Sequence, residues 1–232
     1  NENMPAAVQL FEKLLADAQV NKEAYTNMTS DILKARSDAK LNQGQNFSRL
    51  MSFAMYGPKS PATNLLTEAE LTNMNPQELV DRIHNQNSYK HRILYYGPSS
   101  SKDLRATINQ YHQVPAALKD IPAGNEYSYL ETPVTKVLVA PYDAKQIYMA
   151  QISNLDKKYD PAIEPIRALY DEYFGGGMNS IVFQEMRETR GLAYSAWASI
   201  MPPSYLKYPY VLRTQIATQN DKMIDAVTTF ND

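Results

Sequence analysis

The chain has 232 residues, with 23 Lys and Arg against 25 Asp and Glu, which gives a net charge of −2. Hydrophobic residues make up 44% of the chain and charged residues 21%, both near the average for globular proteins. This composition excludes a disordered, highly charged chain and gives no reason to expect nucleic acid as a partner. No apolar run is long enough to span a bilayer.

The absence of cysteine excludes disulfides, a thiolate nucleophile and every cysteine-based metal site. The chain has only three histidines but 17 tyrosines. Tyrosine suits surfaces that are partly wet and partly buried, because it joins an apolar ring to a hydroxyl group. The ends resemble cuts: Asn1 is not a start methionine, and a helical pattern stops at Asp232 without a cap. We therefore expect a piece of a longer polypeptide.

The first half of the chain is predicted to be mainly helical. Apolar residues at helical spacing indicate helices over residues 5–18, 22–41 and 47–56, the last ending at Gly57-Pro58. Asn75-Pro76 is a strong helix start, and Ser100 opens a further helix that reaches Tyr111. Between these two helices, residues 92–96 read as a short strand closed by Gly97.

After a Pro- and Gly-containing stretch at residues 113–125, which we interpret as a linker, the pattern changes to β. Residues 135–140 and 146–152 are predicted to form a hairpin, and residues 192–200 and 208–218 two further strands. Leu192, Tyr194 and Ala196 are expected on one face of their strand. Helices are predicted after Asp160, from Ser180 to Arg190, and from about residue 219. These elements predict an α+β fold, with helices on one side of a mostly antiparallel sheet.

The sequence gives weak grounds for most kinds of catalytic site. His84, His91 and His112 are scattered, and no His-x-x-Glu-His motif is present, so we expect no metal site in this chain. Ser180 lacks the Gly-x-Ser-x-Gly context of a nucleophile, so it is better interpreted as a helix cap. The carboxylates are interpreted as solvated charges or local salt bridges; they are Asp171, Glu172, Glu185 and Glu188.

Glycines form two corners, the first of Gly175, Gly176 and Gly177 and the second at Gly191. The triple glycine could in principle bind a phosphate at a helix N-terminus, but the lysine of a phosphate-binding loop is missing. A tight structural corner is the stronger interpretation. The bend at Gly191 would let Arg187, on the preceding helix, and Tyr194, on the following strand, point to one side. A guanidinium and a phenol together could hold a peptide carbonyl or an oxyanion, although on spacing alone a surface pair and a core-edge tyrosine are the simpler interpretation.

One segment resembles the insulinase/pitrilysin family of zinc metallopeptidases, which includes mitochondrial processing peptidase and the respiratory-complex core proteins. The family pattern is a glycine-rich corner followed by Phe-Gln-Glu-x-Arg-Glu and Gly-Leu-Ala-Tyr. It stands here at residues 175–180, 183–188 and 191–194. More loosely, the helices and predicted strand of residues 66–111 resemble the end of a preceding subdomain.

The resemblance implies two partial α+β subdomains, one over residues 1–112 and the next over 126–232, each a mostly antiparallel sheet with helices on one side. It also implies that Arg187 and Tyr194 bind substrate, as such a pair does in the family's non-catalytic half. The chain itself would hold no zinc and be inactive alone. Zinc would lie in a catalytic half, in the same or a partner chain, that closes around a peptide.

Two alternatives remain open: a scaffold domain of a non-proteolytic family member, and, less favoured, a phosphate-ligand module at residues 175–180. A bacterial periplasmic or cell-envelope location follows only from the resemblance. Since contacts to the other half would be missing, apolar surface could drive self-association.

Overall fold

The computed structural model describes residues 2–231, so the expectations about Asn1 and Asp232 lie outside the described residues. The elements divide between two units, Asn1–Ala35 with Leu66–Asn125, and Arg36–Leu65 with Glu126–Asp232. The division into residues 1–112, 113–125 and 126–232 stays a prediction. Among the described helices, none combines the length and the apolar character that crossing a bilayer requires.

The helices of the N-terminal half begin and end close to the predicted positions. They are α1 (Met4–Ala16), α2 (Lys22–Lys40), α3 (Gln43–Tyr56), α4 (Glu68–Asn73), α5 (Gln77–Asn85) and α6 (Ser101–Tyr111). The Gln77 backbone N–H donates to Asn75 Oδ1, and the Asp103 N–H donates to Ser100 Oγ. Gly57 ends α3 with a φ of 76°, a conformation that favours glycine.

The predicted strand at residues 92–96 is wrong. The segment forms no ladder, and the side chains of Leu94 and Tyr96 are exposed to solvent. The described residues of this unit contain one isolated parallel bridge, Tyr89 to Lys119, rather than a sheet. Its composition favours a strand, but a strand forms only where a neighbour supplies hydrogen-bond partners.

The second unit contains an antiparallel sheet of β1 (Gln146–Lys158), β2 (Ala193–Met201) and β3 (Pro209–Gln219), in the order β1-β3-β2. The predicted hairpin is therefore wrong: residues 135–140 form no strand, Val137 and Val139 are exposed, and β1 pairs with β3 instead. The sheet and the helices together confirm the α+β class.

Helices cover one face of this sheet and form the core. They are α7 (Glu164–Asp171), which continues as a π-helical turn (Glu172–Gly176), α8 (Ile181–Phe183), which continues as a second π-helical turn (Gln184–Thr189), and α9 (Met223–Asn231). The core residues that they share with the sheet are Val182, Met186, Ala193, Ala196, Ala198, Ile216 and Ala226. Because β2 contributes three alanines, a helix can approach its backbone closely.

At Gly175 a helix approaches the sheet closely. A Cβ atom at this position would lie 2.8 Å from the Cα of Ala198, and closer still to the backbone nitrogen and oxygen of that residue. The neighbour is strand backbone, which cannot move without breaking the ladder. Glycine is therefore required here by packing rather than by its φ angle.

Charged side chains of α7 protect the free edge of β2. Asp171 accepts hydrogen bonds from the Ile200 backbone N–H (2.7 Å) and from Ser199 Oγ (2.9 Å). Arg167 donates to the Ile200 carbonyl (2.9 Å) and to both Asp171 and Glu164. The backbone of an edge strand is thus satisfied within the chain at Ile200.

Glu164 links the same network to β3. It accepts hydrogen bonds from Arg167 and, at 2.6 Å, from the hydroxyl of buried Tyr210. These bonds favour the ionised carboxylate and hold the pKa of Glu164 below its ordinary value of 4.5.

We predict that Gly175→Ala lowers the free energy of unfolding by about 1–3 kcal/mol, the usual cost of overpacking. Urea unfolding followed by circular dichroism measures the change. Gly124→Ala is the matched control, since a Cβ there meets nothing within 4 Å. Equal stability of the two variants would contradict the close approach.

We also predict a pH-dependent difference between the wild type and Glu164→Gln. Because the pKa of Glu164 is lowered by folding, its carboxylate stabilises the fold above about pH 4.5, and this contribution is lost as the pH falls through the folded pKa. The difference in unfolding midpoint should shrink between about pH 7 and about pH 3. A difference independent of pH would show that the hydrogen bonds do not stabilise the ionised form.

Candidate functional site

Arg187 lies in the π-helical turn that continues α8. Ser180 begins this helix, and its buried hydroxyl oxygen accepts a hydrogen bond from the Phe183 N–H. Met186, the neighbour of Arg187, is buried in the core, while the Arg187 side chain is partly exposed. Widened helical turns of this kind are frequent at functional sites.

The bend after this helix matches the prediction at Gly191. Gly191 has a φ of 55°, in the left-handed region, and its N–H donates to the Arg187 carbonyl. The Leu192 N–H then donates to the Met186 carbonyl at 2.8 Å. These two bonds fix the direction in which the chain enters β2.

Tyr194 is the extra residue of a β-bulge. Ala193 pairs with Thr218 and Ser195 with Ala217, so two steps along β2 correspond to one step along β3. The predicted shared face of Leu192, Tyr194 and Ala196 is therefore wrong for Tyr194: Leu192 and Ala196 pack on the core side, and the bulge places Ala193 there as well. Tyr194 is turned outward and is 74% exposed. Bulges re-aim side chains and are common beside active sites.

The structure brings Arg187 and Tyr194 together. The Arg187 Cζ lies 5.2 Å from the centre of the Tyr194 ring and 5.0 Å from the centre of the Phe183 ring. Contact with two rings restricts the guanidinium, while its N–H groups can still donate. Arg187 Nε also lies 3.5 Å from a carboxylate oxygen of Glu188, an exposed and weak ion pair.

A shallow cleft of about 330 Å³ lies next to the Gly191 bend, lined by Arg190, Leu192, Asp225, Thr228 and Thr229.

Arg190 lies 3.6 Å from Glu185, and Asp171 pairs with Arg167. These contacts agree with the interpretation of the carboxylates as members of local salt bridges.

The triple-glycine corner is closely packed at Gly175, whereas Gly176 is exposed. Gly175 is buried against β2, and a Cβ on Gly176 would lie 2.9 Å from the Asp171 carbonyl. A Cβ on Gly177 would lie 3.1 Å from a carboxylate oxygen of Glu172. Acidic side chains next to this corner do not favour an anion, and Gly175 is occupied by packing against β2, so the geometry supports a structural corner over a phosphate site.

Sequence reasoning missed two clusters. His91 and His112 are isolated in the sequence, but their Nε2 atoms are 2.8 Å apart. Arg213 lies over the ring of Trp197 at 5.0 Å. The second contact could have been inferred, because both residues face the same side of adjacent strands. Within residues 2–231, no group of three or more His, Asp or Glu side chains could hold a metal ion.

Comparison with solved structures identifies the fold. The chain is similar to the peptidase M16 inactive domain from Pseudomonas fluorescens, with a TM-score of 0.64 and 16% identity over 97% of this chain and 55% of that one. It is also similar to a protease from Helicobacter pylori, with a TM-score of 0.68 and 12% identity over 98% and 56% of the two chains. The periplasmic protease PqqL from Escherichia coli gives a TM-score of 0.69 and 14% identity over 99% and 25%.

These likenesses show that the chain has the fold of the peptidase M16 inactive domain, in agreement with the insulinase-like fold that the resemblance implied. The chain spans about half the length of the first two structures and a quarter of the third. No protein-family model matches the sequence, and a comparison with curated proteins finds no match.

We predict that Arg187 and Tyr194 are energetically coupled. A double-mutant cycle with Arg187→Met and Tyr194→Leu should give a coupling of about 0.5–1 kcal/mol, as for exposed cation–aromatic pairs. Urea unfolding of the four proteins measures it. The matched cycle uses Arg190→Met with Tyr194→Leu, and a coupling as large in that cycle would contradict the stacking.

Proposed function

We propose that this chain is the zinc-free part of an insulinase-like metallopeptidase, in which it forms chamber wall and positions peptide substrate. The observation that carries the proposal is the guanidinium of Arg187 stacked on the outward-turned ring of Tyr194. The M16 fold supports it, since proteases share this fold.

Arg187 is the chief substrate-binding group in this proposal. Its N–H groups donate to a peptide carbonyl oxygen, and the charge stabilises that oxygen as it becomes negative in the transition state. Tyr194 adds a hydroxyl donor and an apolar ring against which a substrate side chain can lie. Neither group can activate water, so hydrolysis depends on zinc and a general base elsewhere.

The catalytic half is the first proposed partner and the peptide is the second. The chain has no His-x-x-Glu-His motif, so the zinc of the intact enzyme would lie in that half, in the same or another polypeptide. Exposed apolar side chains support contacts outside this chain, or self-association when the other half is absent; among them are Leu94, Val137 and Val139. The similarity of the chain to a periplasmic protease supports a cell-envelope location.

A scaffold role is the second candidate function. It is favoured by the close packing of Gly175 and by the hydrogen bonds to Ile200 at the edge of β2, which serve folding rather than chemistry. The two candidates differ in whether the assembly that contains this chain hydrolyses peptides in a zinc-dependent way.

We predict that Arg187→Ala lowers the kcat of the assembled protease by about 10²–10³-fold, the usual cost of losing one donor to a developing oxyanion. The exposed site should leave the free energy of unfolding within about 0.5 kcal/mol of the wild type. Hydrolysis of a quenched fluorescent peptide, with and without a zinc chelator, is the measurement.

Arg190→Ala is the matched control, because Arg190 caps the end of the same helix and, like Arg187, forms an exposed ion pair, in its case with Glu185. Equal activity of the two variants would contradict substrate positioning by Arg187. An assembly that binds this chain and shows no chelator-sensitive hydrolysis would favour the scaffold instead.

A further inference from the structure

The sheet face that points away from α7, α8 and α9 carries an arginine together with aromatic side chains. Side chains alternate between the two faces of a strand, and Ala196, Ala198 and Thr214 are buried on the helix side. Arg213 of β3 and Trp197 of β2 therefore lie on the opposite face. The Arg213 Cζ is 5.0 Å from the centre of the Trp197 ring. We call these two residues the arginine–tryptophan pair.

A phenol held by α3 lies near the same guanidinium. Tyr129 is close enough for its charge to act on Arg213. The Tyr129 ring packs against the ring of Tyr56, with centres 5.1 Å apart. The next residue, Leu130, donates its backbone N–H to the Met55 carbonyl at 2.8 Å. These contacts fix the position of Tyr129 relative to α3.

Arg213 has few polar partners. Its Nη2 donates to Gln215 Oε1 at 3.1 Å, while its Nε is buried and bonds to no acceptor within residues 2–231. None of the ion pairs of the described residues includes Arg213. Burial lowers its pKa below the ordinary value, as expected for a charge that leaves water without a counter-ion. Arg167, in contrast, bonds to Glu164, which raises the pKa of Arg167.

This arrangement favours a ligand with a single negative charge. A partly buried cation without a counter-ion is costly, and buried polar groups without partners are rare in folded proteins. The planar guanidinium of Arg213 matches a carboxylate, to which two N–H groups can donate together. Contact with the Trp197 ring restricts the guanidinium. One positive charge among aromatic rings suits a carboxylate better than a phosphate, whose charge is close to −2.

We propose that the arginine–tryptophan pair binds the carboxylate of an acidic side chain of a peptide. Arg213 is only partly exposed, so a carboxylate on a methylene stem reaches its Nη groups while the peptide backbone stays at the surface. The stem packs against the Trp197 ring. That the ligand is a peptide rests on the proposed function, whereas its negative charge follows from Arg213.

The pair lies near the proposed substrate-binding residues. Trp197 follows Tyr194 by three residues on β2, which corresponds to about 10 Å along a strand. An extended peptide covers this distance with about three residues. One peptide can therefore contact both sites, and the second site adds a preference for an acidic residue to backbone binding by Arg187.

Fluorescence of Trp197 tests the proposal, because it is the one tryptophan of the chain. The 232-residue chain is titrated with the acetylated and amidated peptide Ala-Ala-Glu-Ala-Ala. We expect a saturable change in fluorescence, confirmed by titration calorimetry. The same peptide with glutamine in place of glutamate should bind about 10–100-fold more weakly, the usual effect of losing a hydrogen bond to a charged group.

Substitution of Arg213 is the second arm of the experiment. Arg213→Met should weaken binding of the glutamate peptide by about 10–100-fold and leave binding of the glutamine peptide unchanged. Arg213→Lys keeps the charge but not the planar fork, so its affinity should be intermediate. Arg190→Met is the matched control, since Arg190 is exposed and pairs with Glu185, and it should bind as the wild type does. Circular dichroism checks that each variant is folded.

Three results would overturn the proposal: no binding of the glutamate peptide, equal binding of the two peptides by the wild type, or equal affinities of the wild type and Arg213→Met. The comparison of the two peptides needs no variant to fold. A glutamine peptide with a free C-terminal carboxylate is the third probe, and binding as tight as that of the glutamate peptide would contradict the assignment to a side chain.

This experiment is separate from the test of the proposed function, because it measures binding without hydrolysis. Failure at Arg213 leaves the role of Arg187 unchanged. Normal binding at Arg213, together with full activity of Arg187→Ala, would contradict only the role of Arg187.

Discussion

The contact between Gly175 and the backbone of Ala198 is the constraint on which the second unit depends. Because the core face of β2 carries alanines, the helical turn at Gly175 approaches the strand itself, and the following helix is held against the same strand. Met186 enters the core from that helix and Arg187 is directed outward next to it. The close approach therefore determines where the guanidinium lies.

The second determinant of the site is the bulge in β2. A regular strand would place Tyr194 on the side of Ala196, against the helices, where a tyrosine would not fit beside the close-packed turn. The extra residue at the bulge turns the ring outward and leaves Ala193 in the core. The strand β2 therefore carries both the closely packed alanines of the core face and the exposed Tyr194 that contacts Arg187. Because Tyr194 lies outside the core, its contact with Arg187 does not disturb the packing of the core.

Local signals predicted the elements whose structure is decided locally. The caps at Asn75, Ser100 and Ser180 and the bend at Gly191 were found because each needs only neighbouring residues. The strands at residues 92–96 and 135–140 were wrong because a strand depends on a distant partner. For the same reason the bulge at Tyr194 could not be predicted, since it is defined only by pairing with β3. The predicted α+β class is confirmed in spite of these two errors, because it depends on the strands β1, β2 and β3.

The same distinction between local and long-range contacts applies to the clusters of side chains. The contact between Arg187 and Tyr194 could be predicted because they lie seven residues apart across one bend, within one recognisable segment. His91, His112 and Glu12 come from three segments up to 100 residues apart, and no spacing rule connects them. His91 and His112 illustrate how two isolated polar residues become a cluster only through helix packing.

The central claim, that peptide substrate contacts the Arg187–Tyr194 pair, is tested most directly by site-specific crosslinking. The photoreactive residue p-benzoylphenylalanine replaces Tyr194 in the assembled protease, and replaces exposed Tyr205 in the control. Illumination with a labelled peptide should give an adduct at position 194 that excess unlabelled peptide suppresses, and none at position 205. No adduct at 194, or equal adducts at both positions, would contradict the account.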